Sequence, residues 1–469
     1  MARAPHGYPG GGLVNAARGP RRVAYQTLRA VHADQAYANL LLPVEIARAG
    51  LDAQDAALAT ELTYGTLRRE GTYDAIISAA AGRDVGAIDP DVLDALRLGT
   101  HQLLSTRIAS HAAVHETVDL VRATAGPAPT GFANAVLRRI SRDNPGEWIT
   151  RIQESARSDD ERLSLATAHP VWILRAFRRA LAAEGRADEL DALLRADNAS
   201  PRVTLAVLPG LATRPPELSP TPYSPVGALS AGGDPERVVA AADGRIRVQD
   251  EGSQLVALAL ARAVPVRAGE RWLDLCAGPG GKTALLAAEA LANGAALEAN
   301  EISPARAGLV RQALRGVPAE VPVSEQDGRE RAAAAPGQYD RILVDAPCTG
   351  LGALRRRPEA RWRKSAADVA ELTSLQRELL SAALGALRPG GVVAYVTCSP
   401  HLAETTGVVA DVRREWGDEI EELDARAAVQ AVSRTPLDLP APEGGSGRVQ
   451  LWPHRHGTDA MFLALLRRR

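Results

Sequence analysis

Two of the three cysteines in this 469-residue chain, Cys348 and Cys398, stand just past apolar runs that read as neighbouring strands, residues 339–345 and 392–397. In an open α/β sheet, ligands lie off the carboxyl ends of the strands, so a pair of thiols there is placed to react. Carbon 5 of cytosine is a poor nucleophile. A thiolate adding at carbon 6 turns the ring into an enamine whose carbon 5 can attack an electrophilic methyl group. The methylated adduct must then lose its carbon-5 proton before the sulfur can leave, so one group serves as nucleophile and a second serves the base and release steps. Spacing alone does not say which thiol does which.

Two charged residues fit the same chemistry. Asp345 ends the strand before Cys348, where a protonated carboxyl or a shared proton suits the exocyclic amine and ring nitrogen of cytosine. Lys282 is one of only two lysines, with Lys364, against a large excess of arginine. That skew reads as a bias of genome composition, against which a lysine points to a place that needs a compact ammonium. It can support the same end of the base or activate a thiol electrostatically.

Lys282 closes the stretch Trp272-Leu273-Asp274-Leu275-Cys276-Ala277-Gly278-Pro279-Gly280-Gly281-Lys282-Thr283, an apolar run, an acid, a glycine cluster and then a helix-compatible run. This is the strand–loop–helix opening of a domain that binds an adenosine-containing cofactor. Glycines let the loop pass close to a ribose or carboxylate, and the helix start offers unpaired N–H groups. Glu301 follows the second strand about twenty residues later, where a carboxylate can accept from ribose hydroxyls. Asp327 ends the third strand. Each of these acids can equally be a helix cap. Cys276, inside an apolar run, reads as a small core residue.

The elements that must position these groups alternate strand and helix from about residue 246. Strands are expected at 271–276, 295–300, 321–326, 339–345 and 392–397, with a last one at 461–466, forming a mostly parallel, doubly wound sheet. Ahead of it, residues 22–142 carry helical stripes and no strand. Asp89-Pro90 reads as a helix start, and Val92, Leu93, Leu96, Leu103 and Leu104 fall on one face. His101, His111 and His115 read as surface or core residues. Residues 145–245 look mixed, with an Arg175, Arg178 and Arg179 helix face, an alternating strand at 201–207 and a proline-rich linker over 209–225. Residues 1–20, rich in Gly, Pro and Ala, read as a disordered basic arm. The expected domains are therefore 1–20, 21–144, 145–245 and 246–469.

Composition narrows the class. The net charge is −1 and 46% of residues are apolar, so the cores are sizeable and any nucleic-acid contact must be local. Three sparse cysteines make no disulfide framework, and no Cys/His cluster has zinc spacing, so no metal is expected. With no membrane-length apolar run and no signal-peptide core, a cytoplasmic protein without a membrane partner is expected.

The phrases "LDLCAGPGGKT", "VDAPCTGLGALRRRPEARW", "VTCSP" and "HGTDAMFLALLRR" resemble the RNA cytosine-5 methyltransferases of the NOL1/NOP2/Sun group, and "ELTYGTLRREGTYD" and "GFANAVLRRI" resemble the NusB-like RNA-binding helical domain. Together they resemble the bacterial branch that modifies 16S ribosomal RNA, over nearly the whole chain. The resemblance implies a Rossmann-like class I methyltransferase domain preceded by an all-α NusB-like domain and a small mixed linker domain. It implies S-adenosyl-L-methionine held by Cys276, Ala277, Gly278, Pro279, Gly280, Gly281 and Lys282 with Glu301, Asp327 and Asp345. It also implies Cys398 as the attacking thiol and Cys348 as the residue needed for release. Glu301 departs from the more usual aspartate. RNA is the expected partner, and a monomer suffices. Arg355, Arg356, Arg357, Arg361, Arg363 and Lys364, with Trp362 among them, read as a phosphate-gripping segment. Competing readings are a transfer-RNA cytosine-5 methyltransferase and a non-catalytic RNA-binding or assembly factor. The intact cysteine pair, Lys282 and strand-end acids argue against the latter.

Overall fold

The computed structural model describes residues 19–233, 235–440 and 447–469, so nearly all of the expected arm at 1–20 lies outside the described residues. The chain divides into two compact units, Met1–Pro170 with Arg357–Glu359, and Val171–Arg356 with Ala360–Arg469.

The first unit is helical, with no strand among its described residues. The helix Pro90–Ser105 starts as its residues dictate: Asp89 accepts from the Asp91 and Val92 amides at 2.9 and 3.4 Å, with Pro90 at the first helical position. Val92 and Leu96 enter the core, and Leu93, Leu103 and Leu104 pack at its margin. Two later helices, Pro145–Gln153 and Asp159–Thr167, fold with this unit. Trp148 anchors the first of them, fully buried with its indole N–H donating to the Ile140 carbonyl at 2.9 Å. Among the histidines, His101 is buried against the Tyr73 hydroxyl at 2.9 Å, whereas His111 and His115 are exposed.

The second unit opens with the helices Val171–Ala182 and Leu190–Asp197, followed by a four-stranded antiparallel sheet. Its strands are β1 (Thr204–Val207), β2 (Ser219–Pro220), β3 (Gly227–Leu229) and β4 (Ile246–Val248), in the order β2-β3-β1-β4. The alternation expected over 201–207 is not seen in the burial of β1, all four of whose residues are buried. Leu205 and Val207 pack in a small core with Leu218, Ala228 and Ile246, with Val238 and Ala242 at its margin, and the helix Glu251–Arg262 also packs on the strand. The proline-rich passage supplies β2, an edge strand where a proline costs no ladder donor.

The main sheet has eight strands: β5 (Arg271–Asp274), β6 (Ala296–Asn300), β7 (Val323–Ser324), β8 (Tyr339–Asp345), β9 (Leu387–Thr397), β10 (Ile420–Leu423), β11 (Val449–Gln450) and β12 (Phe462–Arg468). Their order is β7-β6-β5-β8-β9-β12-β10, with β11 also paired to β12. The run from β7 to β9 is parallel, and β12 lies reversed between β9 and β10. The continuous apolar runs are explained by burial on both sides. Val392, Ala394 and Val396 of β9 face one core, under the helices Glu251–Arg262 and Gly281–Ala292, while Val393 and Tyr395 face the other, under Ala366–Ala386 and Thr406–Trp416. Truncating a core side chain such as Leu343 or Leu465 costs about 2–5 kcal/mol. Arg341, in the middle of β8, is buried but saturated: it donates to Glu270 at 2.9 Å and to the carbonyls of Leu260 and Val264.

Candidate functional site

The chain reverses its direction of growth between β5 and β8, and in open α/β sheets such a switch point is where the loops diverge and ligands bind. β5 stops at Asp274, so Cys276 lies in the loop beyond and not inside a strand as the apolar run suggested. Its half-buried side chain leans on the core, and burial, together with the charges of Asp274, Asp345 and Glu301, holds it as an unreactive thiol, far above the usual range. Asp274 is buried, accepts from the Thr283 hydroxyl at 2.7 Å, and is pushed up to about 7 by burial.

Two glycines here are obligatory. Gly280 has φ +105°, and a Cβ on it would stand 2.5 Å from the Ala313 Cβ of the helix Pro304–Ala313. A Cβ on Gly278 would stand 2.3 Å from Glu301 Oε2, the atom that accepts from the Gly278 amide at 3.0 Å. Glu301, past β6, is buried and also accepts from the Ser303 amide at 3.0 Å, while its neighbour Ile302 is 62% exposed. The longer acid therefore clasps the glycine loop directly. Asp327 follows β7 and is a helix cap: it accepts from the Arg329 amide at 2.8 Å at the start of Gly328–Ala333, and the Arg329 guanidinium holds it below the usual carboxylate range.

Lys282, on the first turn of Gly281–Ala292, reaches Asp345 at the end of β8, Nζ to Oδ2 2.8 Å. Burial works against its charge, but Asp345 and the nearby sulfur of Cys398 outweigh it and raise its pKa. Cys348 and Cys398 meet with their sulfurs 3.5 Å apart, so the pair read at neighbouring strand ends is one constellation. The hydrogen bond to Cys398 and burial push Cys348 well above the ordinary thiol range.

A residue that sequence reasoning passed over organises both thiol loops. Glu404 is fully buried and accepts from the Thr349 amide at 2.7 Å, the Thr349 hydroxyl, the Ser399 hydroxyl at 2.6 Å and the Gln376 amide at 3.3 Å. Gln376 also donates to the Pro347 carbonyl at 2.8 Å. The available signal was a hydroxyl residue directly after each cysteine, Cys348-Thr349 and Cys398-Ser399, with an acid a short turn later.

Three arginines of the segment after Cys348 depart from its expected role. Arg356 bridges Asp250 and Asp459 at 2.9 and 3.0 Å, Arg355 donates to the Gly457 carbonyl at 3.0 Å, and Arg361 binds Asn198 and the Asp197 carbonyl at 2.7 and 2.8 Å. Arg355 and Arg361 are buried, and Arg356 is largely so. These guanidinia brace the loop from within and are not presented to phosphates. Burial without a partner would cost each of them several kcal/mol, which internal carboxylates and carbonyls offset.

A mostly parallel sheet with a switch point, a glycine loop clasped by a strand-end acid, and one reversed strand set next to the edge define a class I methyltransferase fold, here following a helical unit. The profile of the family 16S rRNA methyltransferase RsmB/F matches residues 261–467, and that of the NusB family matches residues 18–142. A named methyltransferase of Mycobacterium tuberculosis strain H37Rv, Rv1407, is 52% identical over 456 residues, covering 96% of both chains. Ribosomal RNA small subunit methyltransferase B of Pseudomonas putida is 33% identical, covering 91% of this chain and 96% of its own. The solved structure of PH0851 shares the fold over 97% of this chain and 98% of its own, with a TM-score of 0.77 at 22% identity. The chain belongs to the RsmB/F family of 16S rRNA methyltransferases, with a NusB-family region before the methyltransferase domain. It is an RNA methyltransferase. No helix among the described residues is long and apolar enough to cross a membrane.

Proposed function

We propose that this protein transfers a methyl group from S-adenosyl-L-methionine to carbon 5 of a cytosine in 16S ribosomal RNA, through a transient bond between Cys398 and carbon 6 of the base. The observation that carries this reading is the pair of sulfurs 3.5 Å apart beside the Lys282–Asp345 pair, all at the carboxyl ends of adjacent strands.

The residues around the glycine loop fit the methyl donor. Gly278 and Gly280 let the loop pack directly on Glu301 and on the helix Pro304–Ala313, which fixes its course. Glu301 stands where ribose hydroxyls can be bound, Ile302 offers an exposed apolar face to an adenine ring, and Cys276–Lys282, Asp327 and Asp345 complete the cradle. When bound, the donor supplies an electrophilic methyl group.

The protein's own groups divide the remaining work. The hydrogen bond to Cys398 and burial favour the Cys348 thiol, while Asp345 and the Cys398 sulfur favour the Lys282 ammonium. Cys398 as nucleophile and Cys348 as the release residue follow from the family resemblance, since spacing leaves the choice open. Sulfur 398 bonds to carbon 6, and the electron pair displaced to carbon 5 takes up the methyl group. Loss of the carbon-5 proton to a base assisted by Cys348 then restores the double bond and expels the sulfur. Asp345 and Lys282 face the polar edge of the base and stabilise the electron-rich adduct. To reach them the cytosine leaves its stack.

The decisive experiment is bisulfite mapping of ribosomal and transfer RNA from cells with and without the protein. One methylated cytosine in 16S RNA that disappears with the gene is expected. Loss confined to transfer RNA, or no loss, overturns the substrate reading.

A further inference from the structure

The two thiols ride on loops from different strand ends, β8 and β9, and their separation has to be fixed by something other than the strands. The loops are tied directly by the Gly352 amide on the Cys398 carbonyl at 2.8 Å and by the Thr349 and Ser399 hydroxyls 3.2 Å apart, while Gln376 holds the Pro347 carbonyl and the Thr397 hydroxyl the Ser399 carbonyl at 3.1 Å. One buried carboxylate gathers the residues that directly follow both sulfurs. Glu404 takes the amide and hydroxyl of Thr349 on one side and the hydroxyl of Ser399 on the other. Its own backbone is pinned by the Tyr395 hydroxyl, which donates to the Glu404 carbonyl at 2.7 Å from inside β9.

We propose that Glu404 is a positioning residue that sets the distance between Cys348 and Cys398 and thereby couples bond formation to release. The inference rests on the cysteine reading above.

The chemistry requires a carboxylate. Four donors converge on its two oxygens, and bonds to a carboxylate are roughly twice as strong as neutral ones. A glutamine at this place keeps the volume but turns one acceptor into an NH2 group. Its carbonyl can still take the Thr349 and Gln376 amides, but the NH2 group then faces the Thr349 and Ser399 hydroxyls, which both lose their charged acceptor. Because residues 349 and 399 adjoin the sulfurs, a shift of either passes straight to Sγ. A misplacement of about 1 Å at a reacting centre costs on the order of 10²-fold in rate.

The test uses the full-length protein carrying Glu404→Gln or the milder Ser399→Ala, which removes one donor and leaves the carboxylate three. For Glu404→Gln, kcat for methyl transfer falls about 10²-fold, while KM for RNA and the donor's Kd stay within about threefold. A second readout is independent of turnover: bridging of the two thiols by dibromobimane, which fluoresces only when both its arms react. This slows about tenfold in Glu404→Gln and a few-fold in Ser399→Ala, with Cys348→Ala as the blank. Wild-type bridging rates in both variants overturn the inference, as does a kcat loss matched by an equal loss of donor binding. If Glu404→Gln does not fold, Ser399→Ala decides by the same two readouts. The cysteine reading fails separately: if Cys398→Ala turns over normally while bridging depends on Glu404, the spacing role stands and the chemistry is wrong.

Discussion

Each unit holds a buried cluster of charge, and the two clusters are built differently. In the helical unit, His32 lies between Asp94 and Glu70 at 2.8 and 3.1 Å, and Arg97 reaches Asp74, Asp94 and Glu70, with Arg29 closing the set on Asp94. Every charge there meets opposite charges, and the cluster is complete in itself. In the methyltransferase unit, Lys282 pairs with Asp345, with Asp274 and the sulfur of Cys398 nearby. A closed network contributes to folding. One whose cation is shared between a carboxylate and a thiol is available for chemistry.

The strongest way to break this comparison is at the sulfurs. Cys398→Ala is expected to lower methyl transfer by about 10³-fold or more while donor binding, measured by calorimetry, changes little. Wild-type turnover in that variant would remove the nucleophile assignment. Cys348→Ala is expected to lower turnover about 10²-fold and to build up a protein–RNA adduct, seen as a slow band on a denaturing gel. No band, despite an intact Cys398, contradicts the release role. Lys282→Met should cost about 10²-fold in kcat and little in melting temperature, the signature of the open arrangement.

The closed arrangements should show the reverse. Arg356→Ala strips a partner from buried Asp250 and Asp459 and is expected to cost about 3 kcal/mol of stability. The salt dependence of RNA binding should stay unchanged, because this guanidinium is turned inward. A flatter slope would restore the phosphate-gripping role. His32 gives the smallest effect and a defined pH window. Burial opposes its charge, but Asp94 and Glu70 raise its pKa to about 9 from 6.5. A pKa raised on folding gives stability that is complete below the unfolded value and is lost as pH rises through the folded one. The helical unit should therefore lose on the order of 2 kcal/mol between pH 6.5 and about 9, and His32→Ala should flatten that loss without changing kcat. A wild-type melting profile flat over this range would count against it.

Much of the site was legible in the sequence because the chemistry-bearing residues sit at strand ends, which glycines, acids and apolar runs mark. The cysteine pair, the glycine loop and the parallel order of the strands could be anticipated from that pattern. What escaped notice depends on long-range contact. Glu404 acquires its function from partners 55, 28 and 5 residues away, and a lone acid in a short turn carries no such mark. The arginines after Cys348 look basic in one dimension, and only their carboxylate partners at Asp250 and Asp459 show that they face inward. β10 escaped because Glu421 and Glu422 sit in its middle, where acids are depleted from strands; Arg467, Arg413 and Arg448 neutralise them.

The reversed strand β12 has a consequence for assembly. It follows the other described strands along the chain, yet it lies inside the sheet, paired to β9 through Phe462 opposite Thr397, the residue before Cys398. Until β12 is in place, β9 is an open edge with the Cys398 thiol at its tip, a template for mispairing. Such a long-range insertion is slow, because loop closure must precede its reward. During synthesis the chain therefore carries both thiols before it can shelter them, and a protease cut ahead of Phe462 would leave an exposed edge in place of an enzyme.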